Sequence, residues 1–251
     1  MAGHSKWANR KHRKERQDAK KGKIFSKMAK EITVAVKEGG PDPEANARLR
    51  LAIEKAKAFS VPAENIERAI QRGSGGQDSD NYEELIYEGY GPGGSAIMLQ
   101  ILTDNRNRTA AEIRHIFSRN GGNLGETGCV AWMFKRKGLL VIDRQAQSLS
   151  EEDLLLLAAE AGAEDVKTEE EVFEIYTSVD DLESVRRSLE EGSAIQFADV
   201  ELTMVPNNEV EVQGKEAEQL LRLLDALEDH DDVQEVYHNA SISEEALNTT
   251  G

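Results

Sequence analysis

The sequence predicts an α+β protein with more than one hydrophobic core. Three observations carry this: residues 23–73 hold three apolar stripes at helical spacing, short apolar runs alternate with helical stretches from Tyr82 onward, and the pattern over 138–205 builds one compact β-α-β-β-α-β unit. At 251 residues the chain can bury a sizeable core and has room for two or three domains.

The first helix is expected to begin near Lys23, because Phe25, Met28, Ala29, Ile32 and Val36 share one face and Gly39-Gly40 ends it. Lys20, Lys23, Lys27, Lys30 and Lys37 lie on the opposite face, which leaves them free of packing and open to a ligand or to solvent. A second helix is predicted from Asp42-Pro43, with Asp as N-cap and Pro in the first turn, and a stripe of Ala45, Leu49, Ala52, Ile53 and Ala56. The third starts at Pro62, carries Ile66, Ala69 and Ile70, and stops at Gly73. Together they make a small bundle, followed by a linker after Gly73.

Beyond the linker, 95–103 reads as a buried strand and Ala110, Ile113 and Phe117 mark a helix. Strands are expected at 129–134 and 138–143, and a helix at 150–162. Phe173, Ile175 and Thr177 alternate with Glu174 and Tyr176 in the manner of a half-buried strand. Ser178 and Asp181 open a helix bearing Leu182, Val185 and Leu189, and a strand at 199–205 completes a split, ferredoxin-like arrangement. A helix at 215–229 and a strand at 233–237 follow.

Charge is distributed very unevenly. The first thirty residues carry eleven Lys/Arg, two His and two acids, on a chain of net charge −16. A pI near 4.8 would keep the whole chain away from polyanions, so nucleic-acid binding must reside in that local patch. Cys129 is the only cysteine, which excludes an intrachain disulfide and points to a reducing, cytoplasmic setting. No apolar run approaches the ~20 residues of a membrane span, and the basic start lacks the apolar core of a secretory signal. Glu15 and Asp18 argue against a transit peptide.

No catalytic set emerges. The five histidines have no metal-ligand spacing among themselves or with Cys129, and Cys129 among Val130, Ala131 and Trp132 reads as a buried small hydrophobe. The glycine clusters at 72–76 and 90–94 match no phosphate-binding fingerprint and suit turns; the denser cluster at 120–128 suits a bulged backbone. The expectation is therefore a non-enzymatic protein with no cofactor and no metal.

The specific signal is the arm. Lys6, Arg10, Lys11, His12, Arg13, Lys14, Arg16, Lys20, Lys21, Lys23, Lys27 and Lys30 are candidate phosphate contacts, and Trp7 offers a flat ring for an unpaired base. Arg106 and Arg108, in a basic loop before the helix that carries Arg114 and Arg119, extend the candidate surface. An arm too charged to fold alone suits irregular RNA, and equally non-specific duplex DNA.

Several blocks resemble one family. Gly3-His-Ser-Lys-Trp-Ala-Asn9, Lys11-His-Arg-Lys14 and Gln17-Asp-Ala-Lys-Lys-Gly-Lys-Ile-Phe25 are similar to the N-terminal signature of the YebC/PmpR family. Pro62-Ala-Glu-Asn-Ile-Glu-Arg-Ala-Ile70, Thr103-Asp-Asn-Arg-Asn-Arg-Thr109, Gly121-Gly-Asn-Leu-Gly125 and Val130-Ala-Trp-Met-Phe134 match later blocks. Arg10, where the family usually has Ile, and Cys129, where Ser is commoner, are departures.

The resemblance implies a three-helix bundle, a middle α/β domain and an inserted ferredoxin-like domain. With the reading above, this sets a basic arm at 1–23, a bundle at 24–76, a middle domain at 77–134 plus 203–240, an insertion at 135–202 and a tail at 241–251. It also implies a probable transcriptional regulator that binds promoter DNA. Similarity to a mitochondrial translational activator, and to bacterial members connected with the ribosome and proline-rich synthesis, points instead to ribosomal RNA. Helices 43–57 and 62–72 could mimic a helix-turn-helix, yet Glu64 and Glu67 crowd the start of the would-be recognition helix. An acidic interaction scaffold, with the acidic domains as the working part and the arm dispensable, is the alternative of another class; on any of these readings the chain is expected to be a monomer.

Overall fold

The computed structural model describes residues 21–75, 81–146, 150–193 and 195–242. The expectations for the arm at 1–20, most of the linker and the end of the tail lie outside these residues.

The bundle comprises α1 (Lys21–Gly39), α2 (Ala47–Ala58) and α3 (Ala63–Gly73). Met28, Ile32, Ala35 and Val36 of α1 meet Leu49, Ala52 and Ala56 of α2 and Ile66 and Ala69 of α3, the stripe that helical spacing predicts. The start of α2 is a correction. The segment after Asp42 makes a separate turn, in which Asp42 O accepts from Asn46 N (2.9 Å), and the helix begins at Ala47. Its cap is Asn46, whose Oδ1 accepts from Leu49 N (3.0 Å) while Nδ2 donates to Ala35 O (2.8 Å) and Gly40 O (2.9 Å). A buried amide that serves both helix ends outcompetes Asp42, whose carboxylate can only accept. Gly39 makes room for it: an added Cβ would sit 2.6 Å from Asn46 Nδ2.

The middle sheet has the order β3-β1-β2-β9, all antiparallel, from β1 (Glu83–Tyr90), β2 (Ala96–Thr103), β3 (Asn123–Leu124) and β9 (Val233–His238). One face is covered by α4 (Arg106–Arg119) and α7 (Gly214–Glu228), with Ile97, Leu99, Ile113, Phe117, Leu220 and Leu224 fully buried between them. The first strand was not among the expected elements. β8 (Val210–Val212) and β10 (Ala240–Ile242) form a short parallel pair.

Between β3 and β8 the chain builds a second sheet, β5-β6-β4-β7, from β4 (Phe134–Asp143), β5 (Asp165–Thr168), β6 (Val172–Thr177) and β7 (Asp199–Pro206). With α5 (Glu151–Ala161) and α6 (Leu182–Ser193) this is the antiparallel ferredoxin-like order, and the chain is α+β as predicted. Ser150 Oγ caps α5 by accepting from Asp153 N (3.1 Å), and Ser178 Oγ accepts from Asp181 N (3.0 Å) ahead of α6.

Two strand readings differ from the structure. β6 is buried at every position rather than on alternate ones, because Leu139, Val141, Val172 and Tyr176 form a second small core on the other face. Glu174 is tolerated there by accepting from the Tyr176 hydroxyl (2.6 Å), and burial with that adjacent carboxylate raises the Tyr176 pKa. Residues 129–133 are a turn and a short 3-10 helix, with the strand starting only at Phe134. The N–H donors that a ladder needs are taken instead by the Glu88 carboxylate.

Candidate nucleic-acid interface

Of the predicted contacts, Lys6, Trp7, Arg10, Lys11, His12, Arg13, Lys14, Arg16 and Lys20 lie outside the described residues, and Lys21 is described only as the first residue of α1. The structure places the next three lysines against the protein itself. Lys23 Nζ donates to Asp229 O (3.0 Å), Lys27 Nζ to Glu228 O, and Lys30 Nζ to Asp231 O (3.0 Å) and Asp232 Oδ1 (2.8 Å). These acceptors sit at the C-terminal end of α7, where unpaired carbonyls and the helix dipole attract cations. The lysine stripe thus fastens the bundle to the middle sheet, contrary to the expectation that it stands free of packing.

Burial lowers the Lys27 pKa to about 8, against the opposing pull of Glu235 and Glu228. The folded state therefore releases this proton first, and between pH ~8 and ~10.5 the unfolded chain holds the extra proton, so stability from this group rises with pH. Lys27→Met is expected to reduce the gain in urea midpoint between about pH 7 and pH 9.5. An unchanged gain would mean that the ammonium is not desolvated in the folded chain.

Arg108 is also engaged, with Asp232 Oδ2 (2.8 Å) and Asp104 Oδ1 (3.0 Å). Thr109 Oγ1 (2.8 Å) and Thr103 Oγ1 (3.2 Å) reach the same Asp232 oxygen. Burial alone would raise the Asp232 pKa; the bonds from Lys30, Arg108 and Thr109 outweigh it and hold the carboxyl far below the usual carboxylate range. Glu112, His230 and Asp232 converge closely enough to resemble a metal triad. The chemistry argues otherwise. Asp232 N donates to His230 Nδ1 (3.1 Å), which leaves the ring proton on Nε2 for Glu112 Oε2 (2.8 Å). Both ring nitrogens and both Asp232 oxygens are occupied, and a cation would face Lys30 and Arg108. This is an ion-pair clamp between the bundle and the middle sheet.

Arg106 is oriented differently. It lines a cavity of about 370 Å³ with Ala110 and Arg114 one and two turns along α4, opposite Ile86, Leu124 and Thr127. Neither arginine makes an ion pair among the described residues.

Sequence reasoning missed the residue that shapes the loop beside this cavity. Glu88 is buried, and its carboxylate accepts from Gly128 N (2.6 Å), Val130 N (2.8 Å) and Ala131 N (2.7 Å). Gly128 supplies the left-handed turn (φ 89°) that aims these donors inward. The carbonyl of Cys129 accepts from the Tyr90 hydroxyl (3.0 Å) and Trp132 Nε1 (3.1 Å). Cys129 itself is partly buried and its thiol pKa is raised by burial and by Glu88, the opposite of an activated nucleophile. Glu88→Gln is expected to cost about 1.5–3 kcal/mol in a urea melt, the scale of charge-assisted hydrogen bonds. A change within ~0.5 kcal/mol would show that the loop holds itself.

The described residues thus form a helical bundle joined by ion pairs to two α+β units. Residues 5–76 match the sequence profile described as "TACO1/YebC protein N-terminal domain", and residues 82–240 that described as "TACO1/YebC second and third domain". The chain belongs to the TACO1/YebC family. It is 58% identical over 250 residues to a "probable transcriptional regulatory protein" of Natranaerobius thermophilus, covering 99% of this chain and 100% of that one. A protein of the same description from Geobacillus thermodenitrificans is 59% identical, covering 95% and 96%. The crystal structure of a conserved hypothetical protein from Aquifex aeolicus superposes with a TM-score of 0.81 at 48% identity, covering 90% of this chain and 93% of that one. Among the described residues no helix is long and apolar enough to cross a membrane.

Proposed function

We propose that the chain is a non-enzymatic regulator of gene expression that binds nucleic acid mainly through its basic arm, residues 1–23. The observation that carries this reading is the concentration of eight Lys/Arg in the first twenty-one residues of a chain of net charge −16. The cations of the bundle add to it by their commitments. Arg48 lies between Glu31, Glu38 and Glu84, Arg50 faces Glu183, and Lys23, Lys27 and Lys30 hold the end of α7. Phosphate contacts are then left to the arm and to unpaired cations such as Arg106.

The names of the relatives favour transcription as the level of action. One observation favours a second reading, translation through ribosomal RNA: the outward face of α3 bears Glu64 and Glu67, with Arg68 already paired to Glu64 (2.7 Å). A helix so charged is poorly suited to the major groove, where duplex phosphates crowd. Co-sedimentation of the intact protein with ribosomes, run beside protection of promoter fragments, separates the two. Protection without co-sedimentation would decide for transcription, and the reverse for translation.

A further inference from the structure

Five large apolar side chains are exposed among the described residues, and three of them gather around one loop: Ile86 (43%), Tyr90 (37%) and Trp132 (69%). Ile86 and Tyr90 lie four residues apart on β1, on the face that Glu88 also occupies. Glu88 pins residues 128–131 beside them, and the next residue is Trp132. Tyr90 and Trp132 both direct their polar atoms to the carbonyl of Cys129, so their ring faces are left for something else. The loop is held from its far side too, where Asn207 donates to Trp132 O (3.1 Å) and Met133 O (2.8 Å).

Two pairs of cations occur nearby, one at the cavity that Ile86 borders and one a few residues after Trp132 in the chain. Arg106 and Arg114 line the cavity bordered by Ile86, and Lys135 and Arg136 follow on β4, exposed. None of the four makes an ion pair among the described residues. Glu126 also lines the cavity, but the charge of Glu88 is turned inward onto three N–H groups.

We propose that the Tyr90–Trp132 surface is a stacking platform for unpaired nucleobases, with phosphates met by Arg106 and Arg114 at the cavity that Ile86 borders and by one of Lys135 and Arg136, which face opposite ways on β4. Flat rings whose polar ends are already satisfied match a base face, which carries no sequence requirement, and the nearby charges match the backbone. A duplex keeps its base faces stacked and cannot use the rings, so the ligand is a single-stranded segment. This inference rests on the nucleic-acid reading above and adds a contact that is independent of the arm.

The test uses the full chain carrying Trp7→Phe, so that Trp132 is the only tryptophan. Short oligouridylate, short oligodeoxythymidylate and a duplex of equal length are titrated, with Trp132 emission and the anisotropy of a labelled strand read together. Single strands are expected to quench Trp132 saturably and the duplex to leave it unchanged. Stronger quenching by the RNA would assign a contact to the 2′-hydroxyl, and equal quenching would leave the base faces alone responsible. In the otherwise unchanged chain, Trp132→Ala is expected to weaken single-strand binding by about 5- to 100-fold, as for loss of one stacked base, with Trp132→Phe retaining most of the affinity. Anisotropy that reports binding while Trp132 emission stays constant would overturn this site and leave the arm reading intact, giving the surface to a protein partner. No binding of any strand would overturn both. A weakened Trp132→Ala chain that also melts lower would make the ring structural, since a side chain 69% exposed contributes little to the core.

Discussion

Asp232→Ala is expected to destabilise the protein by about 3–5 kcal/mol, the cost of removing one partner from a buried, hydrogen-bonded ion pair. The side chain is 6% exposed and bonds Lys30 of α1 and Arg108 and Thr109 of α4, with Thr103 of β2 beside them. Its loss strands the half-buried Lys30 ammonium and breaks the clamp that joins the bundle to the middle sheet. A second variant isolates the charge. Combining Asp232→Ala with Lys30→Met should recover part of the loss, because no unpaired cation then remains. Loss below ~1 kcal/mol in the single variant would reduce the clamp to a solvated surface contact.

The same carboxyl gives an acid signature. Its folded pKa is depressed, so at low pH the unfolded chain takes up its proton first. The stabilisation is complete above the unfolded value of about 3.9 and is lost as pH falls through the folded one. Melts taken from about pH 6 down to pH 3 should fall less steeply for Asp232→Ala than for the parent chain. Parallel curves would place the carboxyl at its ordinary pKa.

What the sequence made legible is what repeats locally. The stripes of α1 and α3 and the Ser178 start of α6 each lie within a dozen residues, and the ferredoxin-like unit is a run of such short elements, so helical and strand spacing read them directly. β1 escaped because Glu83-Glu-Leu-Ile-Tyr-Glu-Gly-Tyr90 has weak strand propensity, and its pairing with β2 and β3 supplies what propensity does not. The apolar run at 129–134 predicts a strand, but the acceptor that bends it is Glu88, some forty residues earlier. The lysine stripe was visible and its destination was not. The partners of Lys23, Lys27 and Lys30 lie more than 200 residues away, in an acidic run that by itself reads as solvated. Charge complementarity between two segments says that they can meet, whereas only packing says that they do. For the arm, composition gives charge without geometry, so it points to a ligand class and not to particular base contacts.

Replacing Lys6, Arg10, Lys11, Arg13, Lys14 and Arg16 by glutamine in the full chain is expected to remove most nucleic-acid affinity while leaving the melting temperature unchanged. The arm's sequence is rich in charge and poor in apolar side chains, so its cations are expected to act on the ligand rather than on the fold. If about six to eight cations of the intact chain engage phosphates, log K against log salt should slope roughly −4 to −7. That corresponds to a loss of about 10²–10⁴-fold between 50 and 200 mM salt. The glutamine variant should be shallower by about 4 to 5 in slope, because each lost phosphate contact removes ~0.7–0.9. The slope that remains, about 0 to −2, would report the few contacts outside the six replaced residues, those near Tyr90 and Trp132 among them, and that binding should favour single strands over duplex of the same length. An intact-chain slope shallower than about −2 would reject the arm as the principal contact. A variant that binds at full strength would make the acidic body the working part of the molecule.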